Sequence, residues 1–285
     1  MNQISVKSYA KINISLEVKS KRSDGYHELD SVMVPIELHD SIVITKLPLA
    51  DNFVTVDDFS SGLIHYNLVS EAITALTKKY NRKDHFRVYI HKVIPMQAGL
   101  GGGSSNAAFT LKAINQMLKL NATDEELIEL ATPLGADIPF FVKSVPCRCG
   151  GIGEELSPIE IKNNYSVLLV KPSEGVSTKE AFKILDSKPY RPVNIEAVLE
   201  ALRDGDDDKL AENMGNSLED AAIKLVPEIQ EIKDYLKSKG LKLVLMSGSG
   251  STVFALSTDR ALLKKIAKEI ENEERWFVEI ARIIK

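Results

Sequence analysis

Residues 95–108 read P-M-Q-A-G-L-G-G-G-S-S-N-A-A. The chain has only 16 glycines among its 285 residues, and four of them fall in the stretch from Gly99 to Gly103. A strand-like segment at 85–94 precedes this cluster, and apolar residues at helical spacing follow it over 104–120. Consecutive glycines let the backbone approach a ligand closely, and the N–H groups that open a helix attract anions. The segment therefore predicts a phosphate-binding loop between a strand and a helix.

The spacing of these glycines excludes two familiar phosphate motifs. A Walker A loop would need a glycine at the position of Ser104 and a lysine directly after it. A dinucleotide fingerprint, G-x-G-x-x-G/A, meets Ser104 or Asn106 where its third small residue should stand. The adjacent hydroxyl groups of Ser104 and Ser105 suit a phosphate or a nucleotide-bound Mg²⁺. They favour a third kind of phosphate cradle over a glycine-rich connection that binds nothing.

The composition is that of an ordinary globular chain. Its 36 Lys and Arg against 40 Asp and Glu give a net charge of −4, and 44% of the residues are hydrophobic. These values exclude collagen, a disulfide scaffold and wholesale disorder, and they give no general attraction to nucleic acid or anionic membranes. Polar residues interrupt the N-terminal segment too often for a signal peptide, so we expect a cytoplasmic protein. Cys147 and Cys149 are too close for an unstrained disulfide, and we expect two reduced, half-buried residues.

Strict alternation over 11–18 predicts a half-buried strand, with Lys11 and Asn13 on its polar face. A turn at 23–25 follows and leads to Tyr26 and His27. Other patterns in the first half predict strands at 31–37, 41–46 and 52–57, a helix from Asn67 to Tyr80, and a helix with a Thr123–Glu126 capping box that ends near 134–135. Because a proline disfavours helix at the residue before it, we expect 136–139 to be irregular or extended, with Asp137 at a helix exit.

The second half has the pattern of an α+β layer. The segment 145–163 is rich in glycine and proline and is the best candidate for an interdomain passage. The patterns after it predict a buried strand at 165–170, a capping box at Ser177 and Glu180, two or three helices over 194–239, strands at 241–246 and 252–256 joined by S-G-S-G-S, a helix at 259–274 and a strand at 276–283.

Separate stretches, in order along the chain, carry a family resemblance. Segment 95–108 resembles the nucleotide motif of the galactokinase, homoserine kinase, mevalonate kinase and phosphomevalonate kinase (GHMP) superfamily, and M-S-G-S-G-S-T-V-F at 246–254 resembles its third motif. Two more stretches are similar to the kinases that act on 4-diphosphocytidyl-2-C-methyl-D-erythritol. They are A-K-I-N-I-S-L-E-V followed by R-S-D-G-Y-H-E-L-D-S-V-M, within 10–33, and L-G-A-D-I-P-F-F at 134–141. The resemblance spans nearly the whole chain.

The resemblance implies a role for each matching residue. Asp137 matches the catalytic aspartate and Lys11 its partner lysine, although the residues alone also fit a turn aspartate and a solvated strand lysine. Tyr26 and His27 match the residues that hold the cytosine, and Phe182 matches, more loosely, the aromatic ring that covers the base from the other domain. The implied substrate contacts also include Asn13, Gly248, Ser249 and Gly250. The implied ATP contacts are Pro95, Met96, Gln97, Ala98, Gly99, Leu100, Gly101, Gly102, Gly103, Ser104 and Ser105.

The resemblance also implies the fold and the activity. We expect an α+β, two-domain GHMP kinase fold, with a ribosomal protein S5 domain 2-like domain at 1–157 and a ferredoxin-like domain at 158–285. The expected reaction is ATP-dependent phosphorylation of the 2-hydroxyl group of the cytidyl substrate, in the non-mevalonate isoprenoid pathway. Mg²⁺ is expected, with Ser104 or Ser105 as a candidate ligand and no glutamate assigned. We expect a small-molecule substrate, a monomer or homodimer, and no nucleic-acid or membrane partner.

Three alternatives stay open at this point. The first is another GHMP kinase, acting on a mevalonate-type or homoserine substrate, which would leave Tyr26 and His27 without a base to hold. The second is a nucleotide-binding regulator that has lost catalysis, which the presence of both Lys11 and Asp137 disfavours. The third is a dinucleotide oxidoreductase, which the failed glycine spacing opposes.

Overall fold

The computed structural model describes residues 2–48, 52–57 and 68–285. The predicted helix start at Asn67 lies outside these residues. Within them the strands are β1 (Gln3–Lys21), β2 (His27–Leu47), β3 (Phe53–Asp57), β4 (His85–His91), β5 (Cys147–Gly150), β6 (Glu155–Pro158), β7 (Ser166–Lys171), β8 (Leu243–Met246), β9 (Val253–Ser257) and β10 (Phe277–Arg282). The helices are α1 (Leu68–Lys79), α2 (Gly102–Leu118), α3 (Asp124–Ala131), α4 (Ile138–Lys143), α5 (Thr178–Leu185), α6 (Ile195–Asp204), α7 (Asp207–Asn213), α8 (Glu219–Leu225), α9 (Glu228–Ser238) and α10 (Arg260–Glu273).

The chain forms two compact units that are not contiguous halves. Within the described residues, unit 1 comprises 1–10, 39–95 and 101–144, and unit 2 comprises 11–38, 96–100 and 145–285. Strands β1 and β2 and the glycine loop therefore contribute residues to both units. The division into domains at residue 157 stays a prediction.

In its described residues, unit 1 combines a small sheet with the four helices α1 to α4. Strand β4 pairs antiparallel with residues 41–47 of β2 and parallel with β3. Alternate residues of β4 are buried, as the period of a half-buried strand requires. Helices α1 and α2 each bury one face, with apolar residues three or four apart. This apolar packing supports the helix that follows the glycine loop.

Unit 2 contains a four-stranded antiparallel sheet in the order β10-β7-β9-β8. With strands numbered within this sheet, the order is 4-1-3-2. The element order is that of a ferredoxin-like βαββαβ motif in which the five helices α5 to α9 stand in place of the first helix. All six residues of β7 are buried. The apolar core of the unit includes Leu168 and Val170 of β7, Ile232 of α9 and Ile266 of α10. Residues 31–33 of β2 pair with β5, which pairs in turn with β6.

The two strands predicted at 31–37 and 41–46 are one strand, β2. The prediction of a break was wrong because Asp40, a polar residue within the strand, is fully buried rather than in a turn. Its Oδ2 accepts a hydrogen bond from Lys92 Nζ at 2.5 Å. Its Oδ1 accepts from the backbone N–H groups of Val93 and Ile94, each at 2.8 Å. These three donors satisfy the carboxylate and hold the segment that leads into the glycine loop.

The predicted two or three helices over 194–239 are four in the described chain: α6, α7, α8 and α9. The break between α6 and α7 has a clear local cause. Gly205 ends α6 in the left-handed conformation, with φ of 72°, and the Asp206 side chain caps α7 by accepting from Lys209 N. The capping box at Thr123 and Glu126 is confirmed, and Ser177 caps α5 by accepting from Glu180 N.

The prediction of irregular chain at 136–139 was also wrong, because helix α4 begins at Ile138. Pro139 lies in the first turn of this helix, where a backbone N–H has no partner within the helix, so the proline costs no hydrogen bond. Asp137 occupies the N-cap position with a half-buried side chain that does not cap the helix. It lies at a helix entry rather than at the predicted helix exit.

Cys147 and Cys149 are not joined in a disulfide, as predicted. They are fully buried rather than half-buried, since both point to the covered face of β5. Among the described residues, we find no helix with the length and apolar character needed to cross a membrane.

We expect Asp40→Ala to lower the free energy of unfolding by about 3–5 kcal/mol, because it leaves the Lys92 ammonium and two backbone N–H groups without their acceptor. Lys92→Met should cost less, since the carboxylate keeps both backbone donors. Urea unfolding of the two variants measures the difference. A larger loss for Lys92→Met would contradict this account.

Candidate active site

The glycine loop leads from β4 into α2, in the predicted order of strand, loop and helix. Gly101 is the N-cap residue of α2, with φ of 70° in the left-handed region. A Cβ on Gly102 would lie 3.0 Å from Ile94 Cγ2 and 3.1 Å from Lys92 Nζ, so a side chain does not fit there without movement. Gly103 is exposed, and a Cβ there would meet only Leu68, at 3.9 Å. The first turn of a 17-residue helix thus presents backbone N–H groups beside small residues.

The two serines after the glycines differ in their environment. Ser105 is fully buried, and its hydroxyl donates to the carbonyl oxygen of Tyr9 at 2.6 Å. Ser104 is half-buried. The structure therefore makes Ser104 the better candidate for a phosphate or metal contact, and gives Ser105 a role in anchoring α2 to β1.

In unit 2, the first part of the glycine loop lies against the S-G-S-G-S segment. Gly99 has φ of 72°, and a Cβ there would lie 2.0 Å from the carbonyl oxygen of Ser247, so only glycine fits. The Ser247 hydroxyl donates to the Gly99 carbonyl at 2.9 Å and accepts from Asn13 N at 3.3 Å. Gly248 has a φ of 56°. A Cβ added at this position would lie 3.0 Å from Gly99 O and 3.1 Å from Lys11 Nζ, so the lack of a side chain leaves the space next to Gly99 and Lys11 open.

Lys11 is buried on β1, with 3% of its surface exposed, which contradicts a solvated strand lysine. Its backbone N–H donates to Leu100 O at 3.1 Å, and its Nζ donates to Asn13 Oδ1 at 2.5 Å. Asn13 is also buried, and its amide nitrogen donates to Ser31 Oγ at 2.8 Å. Asn13 thus turns its carbonyl oxygen toward the ammonium group and fixes the direction of the lysine side chain.

The residues matched to a cytosine site lie in unit 2. The Tyr26 ring is 54% exposed, at a turn in which Tyr26 N donates to Asp24 Oδ1 at 3.0 Å. His27 is stacked on Phe182, with ring centroids 4.2 Å apart and an angle of 21° between the planes. A base does not fit between rings at this separation. The resemblance assigns both residues to one base, and it does not indicate that they contact each other directly.

Asp186 is a further member of this group that the sequence motifs did not indicate. Its Oδ1 lies 2.7 Å from His27 Nε2 and accepts from the Tyr190 hydroxyl at 2.8 Å, while its Oδ2 accepts from Lys21 Nζ at 2.6 Å. Partial burial raises the pKa of this carboxyl group, but the hydrogen bonds from Lys21, His27 and Tyr190 outweigh it and lower the pKa to about 2. The carboxylate is therefore ionised at neutral pH.

Two other polar residues of unit 2 hold backbone carbonyl oxygens and were missed in the sequence. Asn216 donates from its amide nitrogen to the carbonyl oxygens of Met246 and Gly248, both at 2.8 Å. Lys171 is buried and donates to the carbonyl oxygens of Pro172, Ser173 and Glu174, at 2.7 to 3.3 Å. Burial lowers the pKa of this lysine. No short motif marks either residue, because their partners are distant in sequence or are backbone atoms.

The remaining predicted positions are less constrained. Ser249 shares a hydrogen bond of 2.8 Å with the Thr178 hydroxyl, and Gly250, with φ of 88°, packs closely on Met246. Met96 is 49% exposed. No cluster of three or more His, Cys, Asp or Glu residues suited to a metal ion is present in the described part of the chain.

The chain is similar in sequence and in fold to known proteins. Residues 67–144 match the family described as "GHMP kinases N terminal domain", and residues 198–274 match the family described as "GHMP kinases C terminal". A 4-diphosphocytidyl-2-C-methyl-D-erythritol kinase of Caldicellulosiruptor bescii is 34% identical over 267 residues, covering 93% of each chain. One from Clostridium novyi is 40% identical over 254 residues, covering 89% of this chain and 90% of the relative. A crystal structure of 4-(cytidine 5'-diphospho)-2C-methyl-D-erythritol kinase is similar with a TM-score of 0.80 and 30% identity, covering 98% of this chain and 99% of that one.

The fold, the glycine loop and these matches define a GHMP kinase, and they confirm the predicted fold class. ATP is the phosphate donor of this class of enzyme. Within the class, the chain belongs to the family of 4-diphosphocytidyl-2-C-methyl-D-erythritol kinases. The relatives favour this family over the homoserine and mevalonate-type kinases and over a regulator without activity.

We expect Gly99→Ala to weaken ATP binding about tenfold or more, equivalent to about 1.4 kcal/mol. The added Cβ would meet the Ser247 carbonyl oxygen and displace the loop. Gly240→Ala is the matched control, because Gly240 also has a positive φ, of 83°, but its Cβ would meet nothing within 4 Å. Both variants carry left-handed strain of about 1–2 kcal/mol. Titration calorimetry with ATP and thermal unfolding compare them, and equal effects would contradict the close contact.

Proposed function

We propose that this chain transfers the γ-phosphoryl group of ATP directly to the 2-hydroxyl group of 4-diphosphocytidyl-2-C-methyl-D-erythritol. The observation that carries the proposal is the buried Lys11 ammonium beside the backbone of Gly248, which in turn lies close to Gly99. The two glycines belong to two different family motifs. A buried cation next to side-chain-free backbone suits a transferred phosphoryl group. The family of the relatives supplies the acceptor, and this step belongs to the non-mevalonate route to isoprenoid precursors.

The glycine loop is proposed to bind the phosphates of ATP. Its residues from Pro95 to Ser105 offer backbone N–H groups, and the positive end of the α2 dipole favours the negative charge of the phosphates. Mg²⁺ would be held by phosphate oxygens, by water and by the Ser104 hydroxyl, since this ion usually keeps several waters and few protein ligands. Ser104 fits this role better than Ser105, whose buried hydroxyl already donates to Tyr9.

Asp137 is proposed as the general base. Its carboxylate accepts the proton of the substrate hydroxyl group as the hydroxyl oxygen attacks the γ-phosphorus, and ADP leaves with the electrons of the broken P–O bond. No phosphoenzyme forms in this scheme. The backbone that carries Asp137 at the entry to α4 is held in place by packing, because Ile138, Phe140 and Phe141 of that helix are fully buried.

Lys11 is proposed to stabilise negative charge on the transferred phosphoryl group. The Asn13 carbonyl oxygen orients its ammonium group, so Asn13 acts on the reaction by positioning Lys11 as well as by contact with the substrate. Gly248, Ser249 and Gly250 complete the pocket in this proposal.

The cytosine is proposed to stack on the exposed ring of Tyr26 and to bond to His27. A stack on an aromatic ring contributes about 1–3 kcal/mol per base. Phe182, which the resemblance also assigns to the base, contacts His27 directly in this structure.

We also expect a cytoplasmic location, a monomer or homodimer, and no nucleic-acid or membrane partner. Size-exclusion chromatography with light scattering tests the oligomeric state.

The acceptor is tested with a panel of substrates. ADP formation should be fast with the cytidyl methylerythritol substrate and at background with mevalonate, phosphomevalonate and homoserine. Turnover of one of the other three at a higher kcat/KM would overturn the proposed acceptor.

We expect Asp137→Asn to lower kcat by about 10²–10⁴-fold, the usual contribution of a general base, and to leave ATP affinity within about threefold. Asp124→Asn, at an exposed aspartate of α3, is the matched control. Single-turnover phosphate transfer and ATP titration give the two quantities. Full turnover by Asp137→Asn would remove the aspartate from the mechanism.

We expect His27→Ala to raise KM for the cytidyl substrate about tenfold or more and to leave KM for ATP nearly unchanged, since one lost hydrogen bond to a base corresponds to about 1–3 kcal/mol. Steady-state kinetics with each substrate varied in turn measures both constants. A parallel rise in the two would place His27 outside the base pocket.

A further inference from the structure

Asp186, Lys21, Tyr190 and His27 form one hydrogen-bonded cluster in unit 2. Asp186 directly follows α5, and its backbone N–H donates to the Phe182 carbonyl at 2.8 Å, so its position is tied to the helix that carries Phe182. The side chain is only 20% exposed, and both carboxylate oxygens have donors. The carboxylate is held from two further sides, by Lys21 of β1 and by Tyr190.

The ionised state of Asp186 determines which atom of His27 carries a proton. An ionised carboxylate only accepts hydrogen bonds, because it has no proton to donate. The 2.7 Å contact between Asp186 Oδ1 and His27 Nε2 is therefore a hydrogen bond donated by Nε2–H. The Lys21 ammonium, 2.6 Å from the other carboxylate oxygen, supports this ionised state.

The rest of the His27 ring is largely covered. Its side chain is 9% exposed, and one face lies on Phe182. With Nε2 engaged by Asp186, Nδ1 is the second polar atom of the ring. In a neutral imidazole with the proton on Nε2, Nδ1 has a lone pair and accepts a hydrogen bond.

We propose that Asp186 is a positioning residue that fixes the Nε2 proton of His27 and thereby makes Nδ1 the acceptor for the exocyclic amino group of cytosine. This inference rests on the proposed function, in which His27 binds the base. Uracil carries a carbonyl oxygen in place of that amino group, so Nδ1 would face a second acceptor. Asp186 thus gives the kinase a preference for cytidyl over uridyl substrates without contacting the base.

Asp186→Asn tests the inference, because Lys21 sets the orientation of the asparagine that replaces the aspartate. The lysine only donates, so the amide of the variant turns its oxygen toward Lys21 and its NH₂ group toward His27 Nε2 and the Tyr190 oxygen. A donor at Nε2 moves the imidazole proton to Nδ1. We expect ¹⁵N NMR of labelled histidine, at about pH 8 where an ordinary imidazole is neutral, to show the proton on Nε2 in the original protein and on Nδ1 in the variant.

Kinetics provides the second readout. We expect Asp186→Asn to raise KM for the cytidyl substrate about tenfold, to leave KM for ATP and the Tm nearly unchanged, and to reduce the preference over the uridyl analogue about tenfold or more. Asp208→Asn is the matched control, since Asp208 forms a surface ion pair with Lys242 at 2.7 Å and losing it removes the same charge. A purely structural role for Asp186 would lower the Tm without changing the preference between bases.

The outcomes separate this inference from the proposed function. If the original protein does not phosphorylate the cytidyl substrate, the proposed function fails whatever the NMR result. If it does, either of two results overturns the role of Asp186: a His27 proton on Nδ1 in the original protein, or an unchanged cytidyl preference in Asp186→Asn. The position of the His27 proton is measured on the original protein, so this test holds even if the variant does not fold.

Discussion

The backbone of Gly99 lies so close to that of Ser247 that no side chain fits between them, and the arrangement of unit 2 around Lys11 depends on this contact. The Ser247 hydroxyl joins the glycine loop to β1 by bonding to Gly99 O and Asn13 N. Since Gly248 also lacks a Cβ, the Lys11 ammonium lies beside bare backbone. Two separated glycine motifs thereby become one surface with a buried cation next to it.

Polar side chains set the direction of the side chains that are proposed to act on the substrates. Asn13 turns its carbonyl oxygen to Lys11 because Ser31 accepts a hydrogen bond from its amide nitrogen. Asp186 acts in the same manner on His27, and Lys21 and Tyr190 hold Asp186. Because each supporting residue has a defined donor or acceptor, the orientation of Asn13 determines that of Lys11, and the orientation of Asp186 determines that of His27.

Local signals in the sequence predicted most elements correctly. Alternation over 11–18 predicted a strand within β1, although residues 10–16 are buried on both faces rather than on one. A buried strand was predicted where β7 lies, and the spacing of Thr123 and Glu126 predicted the start of α3. The errors occurred where a distant contact outweighed a local signal. Asp40 reads as a strand break until Lys92 and two backbone N–H groups satisfy its carboxylate within the core. Pro139 taken alone indicates a break in a helix. In the fold, the helix begins beside this proline, and the burial of Phe140 and Phe141 favours that start.

The sequence by itself determined the positions of the glycines, the order of the motifs and the family, because these are properties of residue type and spacing along the chain. Only the tertiary structure decided that Lys11 is buried, that Ser104 rather than Ser105 is half-exposed, and that Asp186 contacts His27. These contacts join residues far apart in the chain: 148 positions separate Gly99 from Ser247, and 159 separate His27 from Asp186. Hydrogen bonds and close packing act over a few ångströms, so such pairs are set by the path of the folded backbone and leave no periodic mark in the sequence.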